Sequence, residues 1–475
     1  GQASKHSQPP PFAGTIGVLT STIQLLQDGA THIGVATDHV IESFRNDLYS
    51  GYKTSEGMEP VLLEQIPILE DAYLDWSDGV ITGFGTMSEL ARLESEGYGL
   101  GEASEEVLDG TGRWVLPGFV DSHTHAVFAA PREQEFALRI KGATYQEIAA
   151  SGGGILNSAR ALAAKSKTQL VDEALPRLEA LMRTGTTALE IKSGYGLSLD
   201  SERKMLRVVA ELKKHSPLDI RSTYLGLHAV PTDFAGGKAA YTEAALNNWL
   251  PRLVDEGLVD FLDAFLEGGY FDLSDLSRLA EASDRFGLPL KLHVNQFSSL
   301  GAVPAAVAAG AWSVDHLEVL EPADLAALAD AWRTYSAGSL AEASSASAKR
   351  PTLPVALPAC SHFLRLPYTP ARKLLDAGIP VGIASDFNPG SAPCSNAFLL
   401  WNLACVHAQM TPEEALVGLT LHGAYALGWE RQMGSISVGK QADFILTHPA
   451  PSLAYFPYRF GENHADRVFK KGVSR

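Results

Sequence analysis

The sequence predicts an α/β fold: a (β/α)8 TIM barrel with a small β-sandwich domain formed by both chain ends. Three observations carry that expectation. Eight short apolar runs alternate with amphipathic stretches from about Gly118 onward, the pattern of a parallel sheet wrapped by helices. Seven of those runs finish on polar residues able to do chemistry, and a barrel gathers its strand ends at one face. Beyond them, both chain ends hold short β-like runs separated by turn residues.

The eight expected strands are Val115–Ser122, Thr186–Lys192, Ile220–His228, Val259–Leu266, Pro289–Val294, Ala311–Leu317, Val355–Ala359 and Ile379–Ser385. Helical patterns lie between them at Asp200–Lys214, Leu273–Phe286, Pro322–Trp332 and Thr369–Ala377. The Ser/Ala-rich stretch Tyr335–Lys349 reads as a flexible insertion before the seventh strand. Ahead of the barrel, Tyr73–Gly85 reads as a hairpin turning at Asp78-Gly79. Gly434–Ile445 and Val468–Gly472 supply matching β runs at the other end. The expected division is 11–115 and 431–475 for the two parts of the β domain, with the barrel at 116–430.

Composition bounds the function classes. A chain of 475 residues exceeds one ordinary core. Apolar residues make up 45% and charged residues 20%, which describes a soluble globular protein with no membrane partner. Gly1 to Phe12 is polar and Pro-rich, without the layout of a secretion signal. A net charge of −17 argues against nucleic acid as a partner, because phosphate binding needs clustered Lys and Arg. Its plain reading is solubility. Cys360, Cys394 and Cys405 cannot all pair and lack zinc-knuckle spacing, so they read as reduced, buried thiols of a cytoplasmic protein.

The strand ends hold the candidate chemistry. His123 and His125 are two apart on an extended chain, so their side chains leave on one face and can share an ion. With 14 histidines in 475 positions, chance alone places roughly 0.4 such pairs in a chain, so the pair needs company. It has some: His293 closes the fifth strand and Asp386 follows the eighth. Three imidazoles and one carboxylate suit a single Zn or Fe ion with a position left for water. The fourth strand carries no lysine that could bridge two ions, which favours one metal per chain, and Lys192 and Glu267 read as supporting groups. His316 closes the sixth strand as a candidate catalytic group; its alternative is a core histidine held by Asp315.

At these residues the chain resembles the amidohydrolase superfamily. The resemblance is carried by Pro117–His125 (PGFVDSHTH), Arg132–Phe136 (REQEF), Glu190–Leu197 (EIKSGYGL), Leu225–Pro231 (LGLHAVP), Leu292–Leu300 (LHVNQFSSL), Val314–Leu320 (VDHLEVL) and Ser385–Pro393 (SDFNPGSAP). It runs from about Pro117 to the C-terminus, and lies nearest the branch that opens the ring amide of 4-imidazolone-5-propanoate to N-formimidoyl-L-glutamate in histidine degradation. The resemblance implies one divalent or ferric metal on His123, His125, His293 and Asp386. It implies substrate contacts from Arg132, Tyr195, His228, Gln296, Asn388, Gly390 and Ser391, with Tyr145 a further candidate, and a possible homodimer. Asp386 would move the water's proton and His316 would orient the attack. Arg132 has a plainer reading as an ion pair with Glu133 or Glu135, and Asn295 stands where aspartate is common in the family. The rival readings are a purine or pyrimidine deaminase of the same superfamily, and a barrel scaffold without catalysis.

Overall fold

The structure, a computed structural model, describes residues 72–95, 107–143, 147, 153–337 and 350–475. Tyr145, most of the Ser/Ala-rich stretch (338–349) and the first 71 residues lie outside those described. The described chain opens with an antiparallel hairpin, β1 (Ala72–Ser77) and β2 (Val80–Thr86). Asp78 and Gly79 turn it with φ of 51° and 79°, the left-handed pair a two-residue hairpin requires.

One expected strand is two. Val115–Ser122 breaks at Gly118 into β3 (Val115–Pro117) and β4 (Phe119–Asp121). The Gly118 amide still bonds to Asp443, while the next amide, that of Phe119, bonds to Gly185 on the barrel side. A Cβ at Gly118 would lie 2.3 Å from Thr187 Oγ1, so only glycine lets the chain cross here.

Eight parallel strands form the barrel. They run in sequence order through β4, β5 (Thr186–Lys192), β6 (Asp219–Leu227), β7 (Phe261–Leu266), β8 (Lys291–Val294), β9 (Ser313–His316), β10 (Leu353–Ala356) and β11 (Gly382–Ile383). Closure between first and last comes from hydrogen bonds beyond the ladder. Asp386 N donates to His123 O at 3.0 Å, His125 N donates to Phe387 O at 2.9 Å, and Ser385 donates from N and Oγ to the Asp121 carboxylate. The expected eighth strand is therefore cut to two ladder residues. The seventh is shifted earlier because Pro358, which has no N–H to give a ladder, opens the helix Pro358–Leu364 instead.

The helix Leu273–Phe286 matches its expected span, and Leu199–His215 exceeds its own by one residue at each end. The helix Pro322–Ala337 overruns its expected end, so Tyr335 to Ala337 are helical rather than part of an insertion. No helix among the described residues is long and apolar enough to cross a membrane.

Both chain ends meet in a four-stranded sheet ordered β14-β13-β12-β3, with β12 (Phe444–Thr447), β13 (Ala465–Lys470) and β14 (Val473–Ser474). The hairpin β1–β2 packs on it through Trp76, whose ring centroid lies 5.1 Å from Phe444 and 5.7 Å from Phe469. Cys360 and Cys405 are buried and Cys394 is half-buried, and none of the three is in a disulfide.

Candidate active site

Inward positions alternate along the barrel strands, so β4 continues Asp121, His123 and His125 toward the interior, each two residues beyond the last. His123 and His125 follow β4, His293 lies in β8, and Asp386 follows β11. Their ligand atoms converge. His293 Nε2 is 3.4 Å from His125 Nε2, and Asp386 Oδ1 is 3.5 Å from Nε2 of both His123 and His125. Nitrogen and oxygen donors about 2.0–2.1 Å from a tetrahedral ion stand about 3.4 Å from one another. Buried Nε2 of His123 has no hydrogen-bond partner, a cost that a bound cation would remove. The residues fit one metal ion.

Electrostatics prepare the same set. Burial, with Lys192 and neighbouring imidazoles adding to it, holds His123 well below the usual histidine range. Burial does the same to His125 and His293, with further imidazoles and Lys192 adding to it. All three are neutral, the form that offers a lone pair. Burial pushes Asp386 up to about 6, against the pull of His316. For His316 burial opposes charge, but the Glu318 carboxylate outweighs it and raises the imidazole overall. Backbone φ is 52° at Asp386 and 90° at His316, conformations costing on the order of 1–3 kcal/mol that aim both side chains inward.

Above the four ligands lies a cavity of about 670 Å³, its open mouth included. Every described substrate candidate lines it: Arg132, Tyr195, His228, Gln296, Asn388, Gly390 and Ser391. His228 is stacked on His125 at 5.7 Å, with Tyr195 5.6 Å from His228, and His228 Nδ1 meets Gly194 O at 3.0 Å. Asn388 Oδ1 accepts from the amides of Gly390 and Ser391 at 2.8 and 2.7 Å, which folds that loop over the cavity. Gln296 Nε2 donates to Cys360 Sγ at 3.3 Å. Arg132 pairs with Glu135 yet also faces the cavity, so the ion pair and the cavity position coexist.

Some partners differ from expectation. Asp315 does not hold His316; it holds His123, with Oδ2 2.6 Å from Nδ1, while Glu318 lies 3.3 Å from His316. Glu267 anchors the loop after β8 by accepting from Phe297 N at 2.9 Å. Asn295 is turned away, bonding Val319 O and Asp324. The sequence reading missed Asp263, whose Oδ2 lies 2.9 Å from His293 Nδ1, and Lys291, which lies beneath the ligands. A signal was available: Lys291 and Asp263 interrupt apolar strands at inward-facing positions, where a charge needs partners.

A parallel barrel with neutral imidazoles and a carboxylate at its strand ends is the architecture of a metal-dependent hydrolase. Sequence comparison agrees: profiles described as "Amidohydrolase family" match residues 106–362 and 259–474. The imidazolonepropionase of Christiangramia forsetii is 43% identical over 410 residues, covering 86% of this chain and 93% of that one. That of Flavobacterium johnsoniae is 42% identical over 410 residues with the same coverage. Among solved structures, a triazine hydrolase variant superposes with a TM-score of 0.64 at 16% identity, over 86% of this chain and 90% of that one, a likeness of fold alone. The chain belongs to the imidazolonepropionase branch of the amidohydrolase family.

Proposed function

We propose that this chain hydrolyses the ring amide of 4-imidazolone-5-propanoate, giving N-formimidoyl-L-glutamate in histidine degradation. The observation that carries the reading is the convergence of His123, His125, His293 and Asp386 at donor spacings of 3.4–3.5 Å, in a chain 43% identical to an imidazolonepropionase. Those four would hold one Zn or Fe ion, which when bound supplies Lewis acidity and lowers the pKa of water toward about 7.

The remaining chemistry belongs to the chain's own groups. Asp386 takes the proton of the attacking water at its carboxylate and returns it to the departing ring nitrogen, so one group acts as base and then acid. His316, whose imidazole pKa is raised against burial by the Glu318 carboxylate beside it, donates to the oxygen on which charge develops. Arg132 offers a fork of donors to the propionate or the ring carbonyl. Tyr195, His228 and Gln296 hold the ring edge, and the Asn388–Ser391 loop closes over the product. Phe265 and Ile155, lining the same cavity, keep bulk water from the ring. We assign the β1–β2 hairpin, β3 and 431–475 to one β domain and 118–430 to the catalytic barrel, in a cytoplasmic enzyme working as a homodimer.

The test is a direct assay of imidazolone propionate loss by ultraviolet absorbance, run on the protein and on His293→Ala. The variant is expected to lose bound metal and ring opening together. Turnover at the parent rate in a metal-free variant would overturn the assignment.

A further inference from the structure

Directly beneath the ligands lies a charged cluster that the ring-opening chemistry does not use. Lys192, Glu190, Asp263, Lys291 and Asp315 are all 0% exposed. Lys192 Nζ is 2.9 Å from Glu190, 2.8 Å from Asp263 and 3.9 Å from Asp315. Lys291 Nζ is 3.8 Å from Asp315 and 3.9 Å from Glu190, and donates to Ser313 Oγ at 2.8 Å. Ser313 Oγ in turn donates to Asp315 Oδ1 at 2.6 Å. Two of the three carboxylates point upward, Asp315 to His123 Nδ1 at 2.6 Å and Asp263 to His293 Nδ1 at 2.9 Å.

Burying five charges is costly, and an apolar filling of the same space is often as stable. The arrangement calls for a reason other than stability. A carboxylate only accepts, so Asp315 keeps the proton of His123 on Nδ1 and leaves its Nε2 lone pair free. Asp263 accepts from the His293 backbone N–H at 3.2 Å and sets its second oxygen 2.9 Å from Nδ1, a charge that favours the same tautomer. The Lys192 ammonium donates to Asp263 at 2.8 Å and lies 3.9 Å from Asp315, so its charge bears on both aspartates, with Lys291 3.8 Å from Asp315 beside it. Two lysines against three carboxylates also leave one excess negative charge under a site built for a cation.

We infer that Lys192 is a positioning residue which, through Asp263 and Asp315, fixes the tautomer and orientation of His293 and His123 as one unit and thereby sets metal affinity. The inference rests on the single-metal site proposed above.

The test measures Zn²⁺ affinity by chelator competition on the full chain, with near-isosteric Asp315→Asn and Asp263→Asn beside Lys192→Met. Each Asn variant is expected to weaken Zn²⁺ binding by roughly 10–100-fold. Lys192→Met should weaken it at least as far, and Co²⁺-loaded protein should show a shifted visible spectrum in all three. If Lys192→Met does not fold, Lys192→Arg, which keeps the charge but changes its reach to Asp263 and Asp315, decides the question. It is expected to weaken Zn²⁺ binding and shift the Co²⁺ spectrum, and parent values in that folded variant would overturn the inference. Parent Zn²⁺ affinity and an unchanged Co²⁺ spectrum in folded Asn variants, with only the unfolding midpoint moved, would overturn the inference. Failure of the active-site reading looks different: the parent itself would bind no Zn²⁺ at His293.

Discussion

At the scale of single residues, the site is governed by which groups have room and which have partners. Gly390 shows this. A Cβ there would sit 2.3 Å from Arg132 Nη1, the movable end of a long side chain rather than backbone. Gly390→Ala should therefore push the guanidinium out of position while leaving the fold intact. Losing a charged hydrogen bond of about 1.5–3 kcal/mol corresponds to roughly 10–100-fold in affinity. KM for imidazolone propionate is expected to rise by that order, with the urea unfolding free energy changed by less than about 0.5 kcal/mol. An unchanged KM would show that Arg132 does not touch substrate. The residues that sequence reading found here are those with a fixed place relative to a strand end, such as His123, His293 and Asp386. Asp263 and Lys291 escaped it because a lone charge inside an apolar strand gives no hint of its partners. Only the closed barrel brings β5, β7, β8 and β9 within reach of one another.

At the scale of elements, the strand and helix order was legible and the joints were not. Apolar runs located all eight barrel strands, because a parallel strand buried on both faces reads as one continuous stretch. Val115–Pro117 and Phe119–Asp121 look continuous for the same reason, and nothing in their composition says that Gly118 hands the chain from one sheet to another. The last strand was shortened because its pairing passes to closure bonds at Asp121 and His123, which depend on strands far apart in sequence. The final helices support that closure. In Leu421–Ala426, a Cβ at Gly423 would stand 2.2 Å from the backbone oxygen of Val120 in β4. Backbone cannot step aside as a side chain can. Gly423→Ala should lower stability by roughly 1–3 kcal/mol, the usual cost of overpacking. Denaturant unfolding of the two proteins checks it, and equal midpoints would mean that the helix is free to move away from β4.

At the scale of the whole molecule, buried lysines join the terminal sheet to the barrel. Lys470 in β13 reaches Asp443 at 2.5 Å and, at the start of β6, Asp219 at 2.6 Å. Lys440 makes the second joint. Its backbone oxygen accepts from Ile81 of the hairpin, while its Nζ donates to Glu430 O, to Met433 O at 3.3 Å and to Ser435 Oγ at 2.8 Å. Burial pulls its ammonium down to about 8 from 10.5, although Glu430 resists. Below about 8 both the folded and unfolded chains carry the proton, and the full cost of burying it is present. Between about 8 and 10.5 the unfolded chain keeps a proton that the folded one has released, so stability from this group rises with pH. Lys440→Met removes the titration together with three donated hydrogen bonds, and the lost bonds act as an offset largely independent of pH. Urea unfolding of both proteins at pH 7, 8, 9 and 10 separates the two contributions. The parent should gain on the variant steadily from pH 8 upward, whatever the offset. A difference that stays flat across that range would mean that Lys440 keeps its charge in the folded molecule, and that water reaches the joint between sheet and barrel.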